Sequence, residues 1–116
     1  MATISSHVLD SVLGTHASGI RCQLYRHYPD APPELVFDVK ADQEGRICEE
    51  VDVDQATRAA EYELVLDKGA YFEMQSSGFN NMVDVIVIRF AITDRHRRYH
   101  LPVMLSPHSY SAWWSD

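Results

Sequence analysis

The stretch Val83-Asp84-Val85-Ile86-Val87-Ile88-Arg89-Phe90-Ala91-Ile92-Thr93 decides the class of fold. β-Branched and aromatic residues fill it and turn-forming Asn and Asp flank it, so it reads as the longest strand of the chain. Period two puts Asp84, Ile86, Ile88, Phe90 and Ile92 on one face and Val83, Val85, Val87, Arg89 and Ala91 on the other. Both faces are largely apolar. In a sandwich only one face of a strand meets the opposite sheet, so a strand that is apolar on both sides predicts that another subunit covers the outer one.

Working outward, the same short-strand rhythm recurs with Gly, Pro, Asp and Asn between the runs. Residues 99–105 form the next strand. Its row Tyr99, Leu101, Val103 and Leu105 is more apolar than Arg98, His100, Pro102 and Met104, so His100 is expected on the outer face. If that face is also the oligomer face, His100 lies at a subunit boundary. Toward the N-terminus, strands are expected at 3–9, 19–28, 35–41, 46–53 and 61–67. Asp42-Gln43-Glu44-Gly45 makes the turn before the fourth of these. Residues 70–77 alternate poorly and are read as one short helix, and 106–116 as a tail. The pattern predicts an all-β fold, a two-sheet antiparallel sandwich with one short helix, in a single domain spanning 1–116.

Composition narrows the function. Seventeen acidic side chains against ten Lys and Arg give a formal charge of −7 over 116 residues. No contiguous basic tract exists, which argues against binding nucleic acid through its phosphates. No run approaches the ~18 apolar residues of a membrane span, and residues 1–11 lack the features of a signal sequence. A soluble, cytoplasmic protein with no nucleic-acid or membrane partner is expected. Cys22 and Cys48 are too few for a disulfide framework and are expected as buried free thiols.

Six histidines and the adjacent Trp113 and Trp114 are the chemically unusual content. Histidine changes charge near neutral pH and can take a proton from water. His16, His27 and His108 fall at strand ends or loops and are assigned to the background. His7 and His100 sit within strands beside apolar residues and are the candidates. His96 and His100 have a helical zinc spacing, but in a strand residues four apart lie about 13 Å from each other, so no metal site is expected from them. Arg95, Arg97 and Arg98 with His96 form a basic cluster, read as a solvated turn between strands. No nucleophile elbow, phosphate loop or dinucleotide fingerprint is present.

Several segments, in order, resemble the transthyretin-like proteins, and among them the 5-hydroxyisourate hydrolases of purine catabolism. They are Ser6-His7-Val8-Leu9-Asp10 with Gly14 and Ala17-Ser18-Gly19-Ile20, then Asp42-Gln43-Glu44-Gly45-Arg46, Tyr62-Glu63-Leu64 and Tyr71-Phe72. The most specific is Tyr99-His100-Leu101-Pro102-Val103-Met104-Leu105-Ser106-Pro107-His108-Ser109-Tyr110-Ser111. The resemblance implies a transthyretin-type sandwich that dimerises edge to edge and pairs into a homotetramer, with sites in the channel at the dimer-dimer interface. It implies catalytic roles for His7, Arg46 and His100, no metal and no organic cofactor. Water would open the six-membered ring at an acyl carbon to nitrogen bond. His100, with or without His7, would deprotonate the water, and Arg46 would bind the urea-type carbonyl and steady the oxyanion.

The C-terminus departs from that family. The hydrolases end in tyrosine-arginine-glycine-serine, whereas this chain ends in Trp113-Trp114-Ser115-Asp116. Trp114 in the arginine position loses a cation and gains an apolar face, and Trp113 and Trp114 are expected to shape the substrate pocket. Three possibilities stay open: a hydrolase for an N-methylated 5-hydroxyisourate, an ordinary 5-hydroxyisourate hydrolase, or a non-catalytic binding or interaction protein of the same fold. Phe79-Asn80-Asn81-Met82 also departs, replacing the paired aromatics and proline that many members carry there.

Overall fold

The N-terminal segment alternates as a half-buried strand should. Ala2, Ile4, Ser6, Val8 and Asp10 face inward and are buried, and together they form one side of strand β1 (Ala2–Asp10). The computed structural model describes residues 1–53, 61–75 and 82–115. After β1 come β2 (Thr15–His16), β3 (Arg21–Tyr28), β4 (Ala31–Lys40), β5 (Arg46–Val51) and β6 (Glu61–Leu66). Helix α1 (Lys68–Met74) follows, then β7 (Ile86–Ala91), β8 (Arg98–His100), β9 (Val103–Leu105) and β10 (Tyr110–Ala112). Two sheets result. In the first, β1 is central, with β5 and β2 along one edge and β8 and β9 along the other, and β10 lies outside β9. The second runs β4-β3-β6-β7.

Side chains from the facing sides of the sheets make one core. Ile4, Val8, Ile47 and Leu105 come from the first sheet, and Leu24, Tyr62, Leu64 and Ile86 from the second. Polar groups inside it are partnered. Ser6 Oγ donates to the Leu101 carbonyl at 2.7 Å. Asp10, at the inward end of β1, accepts from Tyr71 Oη at 2.7 Å and from the Val12 and Leu13 amides at 2.8 and 3.2 Å. That carboxylate ties β1 to α1. Lys68, fully buried, donates Nζ to the Pro107 carbonyl at 2.7 Å and so ties α1 to the loop after β9.

The sandwich with one short helix is as the sequence pattern predicts, but several details differ. The first sheet is mixed, because β1 runs parallel to β8 and β9. Strand β7 keeps only Ile86–Ala91 of the expected 83–93, and the longest strand is β4, with ten residues. β4 includes Pro32 and Pro33, which an edge strand tolerates because its outer side needs no N–H donors. The expected strand 99–105 breaks at Leu101 and Pro102, where proline supplies no amide, and each half pairs with β1 separately. The helix starts earlier than expected because Asp67 caps it, accepting from the Ala70 amide at 3.2 Å. Residues 76 and 77, expected in the helix, lie outside the described residues, as do Phe79, Asn80 and Asn81. The tail is not all loop, since β10 adds an edge strand. Cys22 is buried, and burial pushes its thiol up to about 12, but Cys48 points outward on β5 and is exposed.

One expectation is corrected by topology. The outer face of β7 belongs to the second sheet and His100 to the first, so their outer faces lie on opposite sides of the sandwich and cannot be one surface. Val85 and Val87 are nonetheless 43% and 47% exposed, so the second apolar face is open on a single chain. Among the described residues no helix is long and apolar enough to cross a membrane.

The Asp10 anchor makes a stability prediction. Tyr71→Phe leaves a buried carboxylate short of one donor and should cost about 1–3 kcal/mol in urea unfolding. A loss too small to measure would show that the tie between β1 and α1 carries no load.

Candidate active site

The outer face of the first sheet is built by parity and register. Thr3, Ser5, His7 and Leu9 are the outward residues of β1. Opposite His7, across the antiparallel pairing, stands Arg46, and Ser5 faces Cys48. On the other edge the parallel register sets His100 beside Ser5 and Arg98 beside Thr3. His7, Arg46 and His100, far apart in sequence, thus project from three neighbouring strands on one side.

The turn before β5 places Arg46. Asp42 Oδ1 accepts from the Glu44 and Arg46 amides, both at 2.9 Å, while the Gly45 amide donates to the Asp42 carbonyl at 3.0 Å. Gly45 holds φ at 70°, and a side chain there would run into the Val8 carbonyl. Only glycine lets the turn approach β1 so closely. The Arg46 guanidinium has one long contact, Nε to Glu44 Oε2 at 3.9 Å, between two half-exposed or exposed side chains. That contact is weak, and the fork is available to an oxygen acceptor.

His100 is held from below. Its Nδ1 lies 2.8 Å from Ser5 Oγ, which is buried and also accepts from Arg98 Nε at 3.1 Å. If His100 gives Nδ1–H to Ser5 it presents a bare Nε2, a base; if it accepts there, it presents an N–H donor. Its proton affinity is lowered, first by loss of water around the ring and then by Arg98, Arg46 and His7. His7 is lowered likewise, by desolvation, Arg46 and His16, against an opposing backbone hydrogen bond and charge at Glu44. Both rings therefore favour the neutral form. His7 Nε2 lies 3.1 Å from His16 Nδ1.

Trp113 and Trp114 are not in this cluster on a single chain. They are 49% and 52% exposed and line an open groove of about 250 Å³ with Ile88, Phe90, Tyr99 and Leu101 at the side of the sandwich. The Arg97 guanidinium sits 4.9 Å from the centre of the Trp114 ring. The tail still reaches toward His100, because Ser115 and His100 exchange backbone hydrogen bonds of 2.9 and 3.3 Å. A groove of about 480 Å³ lies between α1 and the start of β3, and His7, Arg46 and His100 do not line it. Among the described residues no group of three or more His, Cys, Asp or Glu is placed to hold a metal ion.

Three members of the cluster escape sequence reasoning. Ser5 stands two residues before His7 and Arg98 two before His100, so period two alone could have found both. His16 is invisible that way, because only the two-residue strand β2 brings it to His7.

Comparison with known proteins agrees with this architecture. The model of the HIUase/Transthyretin family matches residues 4–114. The 5-hydroxyisourate hydrolase 2 of Rhizobium meliloti (strain 1021) is 33% identical over 114 residues, which is 95% of this chain and 92% of that protein. The 5-hydroxyisourate hydrolase of Pseudomonas aeruginosa is 31% identical over 115 residues, covering 97% and 90%. Among solved structures, the 5-hydroxyisourate hydrolase of Klebsiella pneumoniae superposes with a TM-score of 0.79 at 26% identity, over the full length of both chains. An (S)-allantoin synthase superposes with a TM-score of 0.83 at 27% identity, with 99% of this chain matching 44% of that longer one. The match along nearly the whole sequence, on a sandwich with the same architecture, establishes that the chain belongs to the HIUase/Transthyretin family.

Proposed function

We propose that the protein is a hydrolase that opens the six-membered ring of 5-hydroxyisourate at a cyclic acyl-urea C–N bond. The observation that carries this is the convergence of His7, Arg46 and His100 on one sheet face in a chain of this family. In the reaction, His100 takes a proton from water as the oxygen attacks the acyl carbon. Arg46 donates to the carbonyl oxygen as negative charge gathers there. The ring C–N bond then breaks, and the proton returns to the leaving nitrogen. His7 stands beside Arg46 and completes the polar wall.

The cluster lies on an open sheet face, and the grooves beside α1 and beside Trp113 and Trp114 do not include it. Another subunit facing it would exclude water and form a pocket. This supports a homotetramer with sites at the dimer-dimer interface, and the exposed Trp113 and Trp114 fit burial in such an assembly.

A second reading, an N-methylated 5-hydroxyisourate as substrate, is favoured by one observation. Ser115 is paired with His100, and this puts Trp114, with its broad apolar face, one residue along the tail from the proposed base. In an assembled pocket Trp113 and Trp114 would then bind the substituted ring.

Ultraviolet decay of freshly generated 5-hydroxyisourate tests the activity. His100→Asn should lower kcat/KM by about 10²–10³-fold. If wild type and variant clear the substrate equally, and the N-methylated form too, the protein is a non-catalytic binder of this fold. The pH profile tests the assignment of the base. Because burial, Arg98, Arg46 and His7 depress its proton affinity, His100 should remain a base at pH values where an ordinary histidine is protonated. The acid limb of kcat/KM should therefore fall at lower pH than usual for histidine, and Arg98→Gln should move it upward. A limb that does not move with Arg98 removes His100 from that role. For the substrate, Trp114→Arg should shift the ratio of kcat/KM by at least about fivefold toward the unmethylated ring. An unchanged ratio excludes the tail as a selectivity element.

A further inference from the structure

The junction of β1 and β2 brings two imidazoles together at the rim of the cluster. Leu9 pairs with His16 and Asp10 with Thr15, so the chain folds back beside the end of β1. His7 Nε2 and His16 Nδ1 lie 3.1 Å apart, with ring centroids 5.2 Å apart and planes tilted by 36°. Two ring nitrogens at this distance share one proton, since two bare lone pairs repel and two N–H groups clash. One ring must therefore give its N–H to the bare nitrogen of the other, so the tautomers of the two rings are coupled.

We propose that His16 is a positioning residue for His7, holding its ring in one tautomer and one orientation beside Arg46 through the hydrogen bond between His16 Nδ1 and His7 Nε2. The role rests on the hydrolase reading, because it acts through a residue of that site. An imidazole on an open sheet face can turn about its side-chain torsions. A fixed partner on one nitrogen removes that freedom before substrate arrives. The charged and titratable groups around His7 are Arg46 and Glu44 from β5 and the turn before it, His16 from β2, and His100 with Arg98 from β8. Arg46 and His16 disfavour a charge on His7, and Glu44 favours it.

Long-range proton–nitrogen NMR of the imidazoles reads the pairing without substrate, and kinetics reads its consequence. Wild-type His7 should show one dominant tautomer at neutral pH. His16→Ala should return His7 to a mixture of tautomers and lower kcat by about three- to tenfold with little change in KM. His16→Asn offers an amide N–H in the same place and should restore most of both. The backbone pairing of β2 is independent of this side chain, so the variants should keep the fold. An unchanged His7 tautomer in His16→Ala overturns the proposal, and so does an equal loss of kcat in the Ala and Asn variants. Should wild type turn over 5-hydroxyisourate no faster than His100→Asn, the hydrolase reading fails, while the spectra still decide the pairing of the two rings.

Discussion

Strand β1 is hydrogen-bonded along both edges, to β5 and then β2 on one side and to β8 and then β9 on the other. Its register is the constraint on which the site depends. A slip of one residue against β5 would exchange the two faces of β1, burying His7 and exposing Val8. The inward row prevents this, because Ala2, Ile4 and Val8 have a core to fill and Asp10 has three donors to meet. Hydrophobic burial on one side thus sets the positions of polar groups on the other. The proline break between β8 and β9 leaves β8 its own short pairing, and that pairing seats His100 on Ser5.

Electrostatics divides the two faces of the molecule. The chain carries a charge of −7, yet the outer face of the first sheet sets Arg46 and Arg98 beside His7 and His100, with Glu44 and Glu50 along the β5 edge. On the second sheet cations are tied to acids: Arg89 bridges Glu61 and Glu63, and Arg21 meets Asp38. Arg46 has no comparable partner among the described residues, since its contact with Glu44 is long and exposed. A small ring bearing carbonyl oxygens would meet the Arg46 fork in spite of the net charge.

How far the sequence discloses this varies with the range of the interaction. Period two across residues 98–105 identified the inward row and the outward His100, because alternation is local. The turn at Asp42 to Gly45 was legible for the same reason. Strand ends were less so: Asp67 capped the helix earlier than the apolar pattern indicated, and Leu101-Pro102 split a run that looked continuous. Long-range pairing was not legible at all. Nothing in the order of residues shows that β7 and β8, nearly adjacent in sequence, belong to opposite sheets, or that β2 returns His16 to His7. The grouping of His7 with Arg46 and His100 came from resemblance to a family, whereas period two could place Ser5 on the face of His7 and Arg98 on that of His100 but not bring the two pairs together.

The central claim is that groups set by the register of β1 act together on one reacting centre. A double-mutant cycle on kcat/KM with Arg46→Gln and His100→Asn measures this most directly. If the two groups serve one transition state, the double variant should lose less than about threefold beyond the worse single variant. Losses that multiply would show that the two side chains act independently, contradicting a single site built across β5, β1 and β8.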